Sequence, residues 1–127
     1  MLNHFKLAAI VGLGGALGSI LRYLVGVMVG GSHEVFPWHT FVVNTVGCFL
    51  MGVLTEYTAL YWSISYGLKM FLSVGFLGGF TTFSSFALDF GMLYSRGQLV
   101  TAIAYLMITN ICVVGAFFGG IFLIRNI

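Results

Sequence analysis

The chain has 127 residues, enough for about one domain, and it is 60% hydrophobic, 17% aromatic and 6% charged. Ordinary soluble domains carry ~25% charged residues, and five Lys/Arg with three Asp/Glu cannot coat a water-exposed surface. A net charge of +2 is also too small for a phosphate-binding field, so soluble globular, disordered and nucleic-acid-binding classes fall away and an integral membrane protein remains.

The charges Lys6, Arg22, Glu34, Glu56, Lys69, Asp89, Arg96 and Arg125 leave residues 35–55, 70–88 and 97–124 uncharged. A span needs about 20 apolar residues. The pattern predicts four helices over about residues 5–30, 38–61, 68–94 and 98–124, with Arg22 inside the first. Residues 1–127 thus form a single four-helix transmembrane domain. The first apolar stretch is too long for a signal-peptide core, and no A-x-A-like site closes it. No run alternates polar and apolar residues as a β-barrel strand does. The connections are short: Gly31–Pro37 with its proline at a helix start, the stretch around Ser63-Ile64-Ser65, and Ser95–Gln98.

In chain order, the first helix carries Gly14, Gly18, Gly26 and Gly30, small residues four apart that let backbones approach closely. Gly75/Gly79 and Gly115/Gly119 repeat the spacing. These pairs predict a tightly packed bundle and an oligomer, since four helices leave little room for a solvated path within one subunit. Arg22 either snorkels to the headgroups or is the fixed positive charge at the mouth of an anion path.

The second helix holds Asn44 deep in Phe41-Val42-Val43-Asn44-Thr45-Val46-Gly47-Cys48. An intramembrane amide is costly and points to function. Asn44 is either glue between helices or, with two N–H donors, an anion ligand. Cys48 and Cys112 sit in apolar stretches without a CxxC pattern and read as small core residues.

The third segment reads Gly75-Phe76-Leu77-Gly78-Gly79-Phe80-Thr81-Thr82-Phe83-Ser84-Ser85-Phe86. Its glycines, followed by Thr81, Thr82, Ser84 and Ser85, lower helix propensity in mid-membrane. Two readings stand: a kinked helix with back-bonded hydroxyls, or an unwound stretch whose carbonyls bind something. Phe80, Phe83 and Phe86 recur every three residues, and the positive edge of an aromatic ring can attract an anion without a full charge.

On the fourth helix Thr101, Tyr105 and Thr109 form one stripe. Asn110 lies about 100° round the helix from it and is assigned to packing. No acidic residue sits near the middle of a span; Glu56 and Asp89 lie near helix ends. No facing histidine pair suits a haem, and no catalytic motif marks an enzyme. Amide N–H, hydroxyl O–H and ring edges together describe a site for a small, hard anion. Lys6, Lys69 and Arg125 share one side against Arg96 on the other, a weak positive-inside bias that permits insertion both ways.

Those same residues resemble the CrcB/Fluc fluoride channel family. The matching stretches are Gly14-Gly15-Ala16-Leu17-Gly18-Ser19 with Arg22-Tyr23, then Val43-Asn44-Thr45-Val46-Gly47-Cys48-Phe49, and, most specific, Gly75 to Phe86. The resemblance covers essentially the whole chain. It implies an all-α membrane protein, an antiparallel homodimer of dual-topology subunits with a broken third helix and two fluoride pores. It implies passive fluoride export across the plasma (inner) membrane, and hence fluoride resistance, with fluoride and membrane lipid as partners. It places Asn44, Phe83 and Phe86 on the anion pathway, together with Tyr105, Ser84, Ser85, Arg22 and, less regularly, Thr109. It also implies a structural sodium ion at the dimer interface, held by the backbone carbonyls of Gly78 and Thr81. Ser85 stands where threonine is usual, keeping the hydroxyl, and Phe80 where leucine is common. The competing reading is a small four-helix proton-coupled multidrug exporter, which would need a central carboxylate.

Overall fold

A computed structural model describes residues 3–30 and 35–127. The predicted loop residues Gly31 to Glu34, with His33 among them, lie outside the described residues. All described regular structure is helical: α1 (His4–Val29), α2 (Trp38–Leu60), α3 (Tyr66–Met70), a π-helical stretch (Phe71–Leu77), α4 (Gly78–Phe80), α5 (Phe83–Ser95) and α6 (Leu99–Arg125). From α3 to α5 these pieces form one span, Tyr66–Ser95, and four helices are long and apolar enough to cross a membrane. The observed limits fall within one or two residues of those predicted from charge.

Local chemistry accounts for the ends. Asn3 Oδ1 accepts from the Phe5 amide at 3.1 Å, and Ser65 Oγ accepts from the Leu68 amide at 3.3 Å. Each satisfies a donor that the first helical turn leaves free. Pro37 occupies the cap of α2, where a missing N–H costs nothing. Between α5 and α6 the chain reverses at Gly97, whose φ of +75° suits glycine. There the Gln98 amide bonds back to the Leu93 carbonyl at 3.0 Å, a Schellman-type closure.

The packing divides into two tight pairs. α1 lies against the π-helical stretch and α4. A Cβ on Gly14 would stand 2.5 Å from the Phe71 carbonyl oxygen, and one on Gly79 would stand 2.5 Å from that of Gly15. A Cβ on Gly18 would overlap the Phe76 carbonyl. α2 lies against α6, where Gly52 meets the Phe117 carbonyl and Gly120 meets that of Phe49. Of the glycine pairs read from sequence, Gly14/Gly18 and Gly75/Gly79 make close backbone approaches. Gly26 abuts the His39 ring, and Gly115 and Gly119 have nothing near them. The α2–α6 contact uses Gly120 instead, one position on.

A modest core of Phe86, Leu93, Ala102 and Tyr105, backed by Phe36, Phe41, Phe90 and Leu106, joins α5 and α6 to the start of α2. The chain exposes 8034 Å², where a compact soluble monomer of this size exposes ~6,600 Å². The excess is largely apolar: Leu17, Val27, Phe83, Ile111 and Phe118 all stand open. Such a surface suits lipid or another protein rather than water.

Candidate functional site

The helix breaks at Thr81 and Thr82, not at the glycines. Gly78 keeps helical angles (φ −63°, ψ −36°), whereas Thr81 and Thr82 are extended (ψ 157° and φ −152°, ψ 115°). Asn44 explains the position. Its Nδ2 donates to the Thr82 carbonyl at 2.9 Å, and its Oδ1 accepts from the Thr82 amide at 2.7 Å. The carboxamide thus stands in for a neighbouring peptide group, satisfying both backbone groups that an unwound residue in lipid would otherwise leave unpaired. Both alternatives read for Asn44 therefore bear on one residue. One amide N–H ties α2 to the break, and the second has no protein acceptor among the described residues.

The carbonyls of the last turn before the break, Gly78 to Thr81, lose their α-helical donors, and that of Gly79 takes Arg22 and Ser19 instead. The Thr82 amide, the α-helical donor for Gly78, goes to Asn44. The Ser85 amide, the α-helical donor for Thr81, goes to Thr82 Oγ1 at 3.1 Å. Gly78 and Thr81 are the residues whose carbonyls the family resemblance assigns to sodium. Freed backbone oxygens of this kind are suitable ligands for a hard monovalent cation, so the donor set fits. Among the described residues no group of three or more His, Cys, Asp or Glu could hold a metal ion.

Beside the break, between α2, α5 and α6, lies a cavity of about 190 Å³ lined by Asn44, Cys48, Thr81, Thr82, Phe83, Phe86, Thr109, Asn110 and Val113. No carboxylate and no cation lines it. Thr109 is 4% exposed, and its Oγ1 is buried with no hydrogen-bond partner, a costly state for a group on a cavity wall. Phe83 and Phe86 stack with centroids 5.5 Å apart and planes 29° apart. Phe86 is buried, while Phe83 is 78% exposed and forms an open side of the cavity.

Asn44, Phe83, Phe86 and Thr109 are thus brought together. Ser84, Ser85, Tyr105 and Arg22 do not line this cavity. Ser84 and Ser85 are held behind it by the Thr82 hydroxyl, at 3.2 and 3.0 Å. Tyr105 is fully buried, packs on Phe86 with centroids 5.1 Å apart, and donates to Asp89 Oδ2 at 3.2 Å. Asp89 faces a separate cavity of about 240 Å³ shared with His39, Thr40 and Arg96. Arg22 points the other way: its Nε donates to the Gly79 carbonyl at 3.1 Å, with Ser19 Oγ on the same oxygen at 3.5 Å. It straps α1 to the segment before the break.

Sequence reasoning missed Thr82, Cys48 and Val113 as lining residues and set Asn110 aside. Cys48 follows Asn44 by one helical turn, so periodicity alone could have found it. Asn110 back-bonds to the Leu106 carbonyl at 2.7 Å and still lines the cavity, because the opening is wider than one stripe of α6.

The chain matches the family described as CrcB-like protein, Camphor Resistance (CrcB), over residues 9–121, a stretch that includes the break, Asn44 and the cavity wall on α6. The chain belongs to the CrcB family. Its relatives include a protein of Rhodospirillum centenum, 46% identical over 95% of this chain and 97% of that one. Another, of Agrobacterium fabrum, is 45% identical over 94% and 96%, and a third, of Rhizobium meliloti, is 43% identical over 98% of both. Each is named fluoride-specific ion channel FluC. The CrcB/FluC family is one of ion channels, not enzymes.

Proposed function

We propose that this protein is a passive fluoride channel of the plasma (inner) membrane, working as an antiparallel homodimer of dual-topology subunits with two pores. One observation carries the reading: a cavity without carboxylates, lined by Asn44 with its spare N–H and by Thr109, beside the stacked Phe83 and Phe86 rings. Fluoride is small and strongly hydrated. To leave water it must find hydrogen-bond donors at close range, and a site built of fixed dipoles supplies them without the deep trap that a full cation would make. The ring edges add weak positive potential beside those donors. Names of close relatives as fluoride-specific channels support the choice of anion. The exporter alternative is not favoured, because it needs a carboxylate where the cavity has none.

The dimer is part of the proposal. Phe83 is 78% exposed in the single chain and closes its cavity only when a second surface covers it. The Gly78 and Thr81 carbonyls of two subunits about a twofold axis would supply four oxygens. A sodium ion held there would contribute a fixed positive charge at the interface. Arg22 and Ser19 orient the adjoining Gly79 carbonyl.

The physiology follows from acid–base chemistry. Neutral hydrogen fluoride crosses lipid, ionises in a more alkaline cytoplasm, and is trapped as fluoride. A potential of 100 mV, negative inside, is worth ~2.3 kcal/mol per charge, a roughly 50-fold outward drive. No ATP or proton coupling is required for fluoride resistance. The test is efflux from liposomes holding only this protein, read with a fluoride electrode. Fluoride release that needs no proton gradient and exceeds chloride release is the expected result. Release that collapses when the proton gradient is removed would replace this reading with the exporter.

A further inference from the structure

The second polar cavity, of about 240 Å³, lies at one end of the bundle, where α2 begins and α5 ends, with His39, Thr40, Asp89 and Arg96 in its wall. Asp89 and Arg96 balance each other, so the cavity is neutral as long as His39 is. Histidine is the side chain whose charge changes between pH 5 and 8. The His39 ring is half-buried and held by one end. Its Nε2 lies 3.2 Å from the Arg22 carbonyl oxygen. A carbonyl only accepts, so Nε2 carries a hydrogen in the neutral ring and in the cation alike. Nε2, Cδ2 and Cε1 sit in the notch left by Gly26, at 3.0, 3.2 and 3.3 Å from where a Cβ would stand. Nδ1 belongs to the other end of the ring, and among the described residues it has no hydrogen-bond partner. A proton taken up at Nδ1 therefore leaves the contact with α1 intact and turns the cavity wall from neutral to positive.

We infer that His39 is a proton-dependent anion-recruiting residue: its charged ring makes this cavity a positive entrance for fluoride, so that conduction rises as pH falls. This rests on the channel reading above and deepens it by giving the entrance a charge that pH sets. The charged and titratable groups around His39 are Asp89 and Arg96 on α5 and Tyr105 on α6, which reaches the cavity through Asp89. From α1 comes the uncharged Arg22 carbonyl, since the Arg22 guanidinium is turned to Gly79. Arginine stays charged and tyrosine neutral in the range where histidine titrates. Asp89 is the rival, because a carboxylate that took a proton would also leave the wall positive. Tyr105 packs on Phe86 at its other side, which places the added charge beside the cavity that holds Asn44. The response matches need, since hydrogen fluoride loads a cell from an acidic exterior.

The experiment uses the whole protein in planar bilayers and reads fluoride current at fixed voltage and low fluoride concentration. The pH is set equally on both sides, from about 8 down to about 5.5, across the histidine range. Neutral hydrogen fluoride crosses the bilayer but carries no current, so the signal belongs to the anion. One unit charge about 8 Å from the path corresponds to an about twofold gain in a water-like dielectric and a roughly thirtyfold gain at an effective dielectric of about 20. A wild-type current that rises within those limits along a single-proton curve is the expected result. In His39→Gln, whose amide can donate to the Arg22 carbonyl but takes no proton, the current stays level across the range. In Asp89→Asn, which removes the rival carboxyl, the rise remains. A flat wild-type current overturns the assignment, whatever the variants do. A rise that survives in His39→Gln, or is lost in Asp89→Asn, overturns it too and moves the response to Asp89. In each of these cases the channel reading stands. Absence of fluoride current from wild-type protein at every pH overturns the channel reading and the His39 assignment together.

Discussion

The third span and α6 are both long and apolar, and both carry two glycines four residues apart, Gly75/Gly79 and Gly115/Gly119. α6 runs unbroken from Leu99 to Arg125, whereas the third span passes through a π-helical stretch and then loses helical geometry at Thr81–Thr82. Glycine content does not separate them. Gly78 is helical, and Gly115 and Gly119 sit in an intact helix with nothing against them. What separates them is a partner: α2 offers Asn44 to Thr82, and none of the described residues offers an equivalent amide to α6. In a membrane a helix opens where another side chain can take over its backbone hydrogen bonds, and weak intrinsic propensity alone does not suffice.

The sharpest way to break this comparison is Asn44→Asp. A carboxylate cannot donate to the Thr82 carbonyl, and it places a charge where Asn44 is 8% exposed. A mid-membrane aspartate costs ~3 kcal/mol, equivalent to about a 100-fold loss. Fluoride efflux per folded dimer is expected to fall by that order, and efflux at the wild-type rate would remove Asn44 from both the strap and the path.

Next comes a contrast between adjacent glycines. Gly79→Ala would drive a Cβ to 2.5 Å from the Gly15 carbonyl oxygen, an overpacking worth ~1–3 kcal/mol. Gly78→Ala meets only the Ser73 carbonyl oxygen at 3.6 Å, an ordinary contact. Thermal denaturation in detergent should show a clear loss for Gly79→Ala, and little change for Gly78→Ala or for Gly119→Ala in α6. If the freed carbonyls bind sodium, Gly78→Ala and Thr81→Ala should also keep a sodium-dependent rise in melting temperature, since both variants retain the backbone oxygens.

The paired rings should separate path from scaffold. Phe86→Ile removes a buried ring packed between Phe83 and Tyr105 and should lower both stability, by ~1–2 kcal/mol, and flux. Phe83→Ile removes an exposed ring, and should lower flux while leaving the stability of the subunit nearly unchanged. Dimers of both variants that run normally on gel filtration and conduct at the wild-type rate would reduce the rings to packing.

Thr109→Val is expected to cost no stability. The hydroxyl it removes is buried and unpartnered, so the folded state should be unchanged or gain up to ~1 kcal/mol. Flux should nevertheless fall, because the wall of the cavity loses its hydroxyl. Reduced flux in an equally or more stable protein is the signature of a functional hydroxyl. Unchanged flux would assign Thr109 to packing.

The membrane class, the four spans and their limits were legible in the sequence, because eight charges in 127 residues leave few places where a chain can leave lipid. The importance of Asn44 and of the Gly75–Phe86 segment was legible for the same reason: polar groups in lipid are too expensive to be incidental. Which residue unwinds was not legible. The glycines and hydroxyls from Gly75 to Ser85 marked an irregular stretch without singling out a residue, and the break falls on two β-branched threonines because only the tertiary fold brings the Asn44 amide to Thr82 across 38 residues of sequence. Tertiary structure alone also turned Arg22 onto the Gly79 carbonyl, set Tyr105 behind Phe86, and made Cys48 part of a cavity wall. Periodicity along one helix reports which side chains share a face, but a cavity is formed by faces of several helices. Where those faces meet depends on backbone approaches as close as that of Gly14 to Phe71, which one residue's neighbours in sequence do not encode.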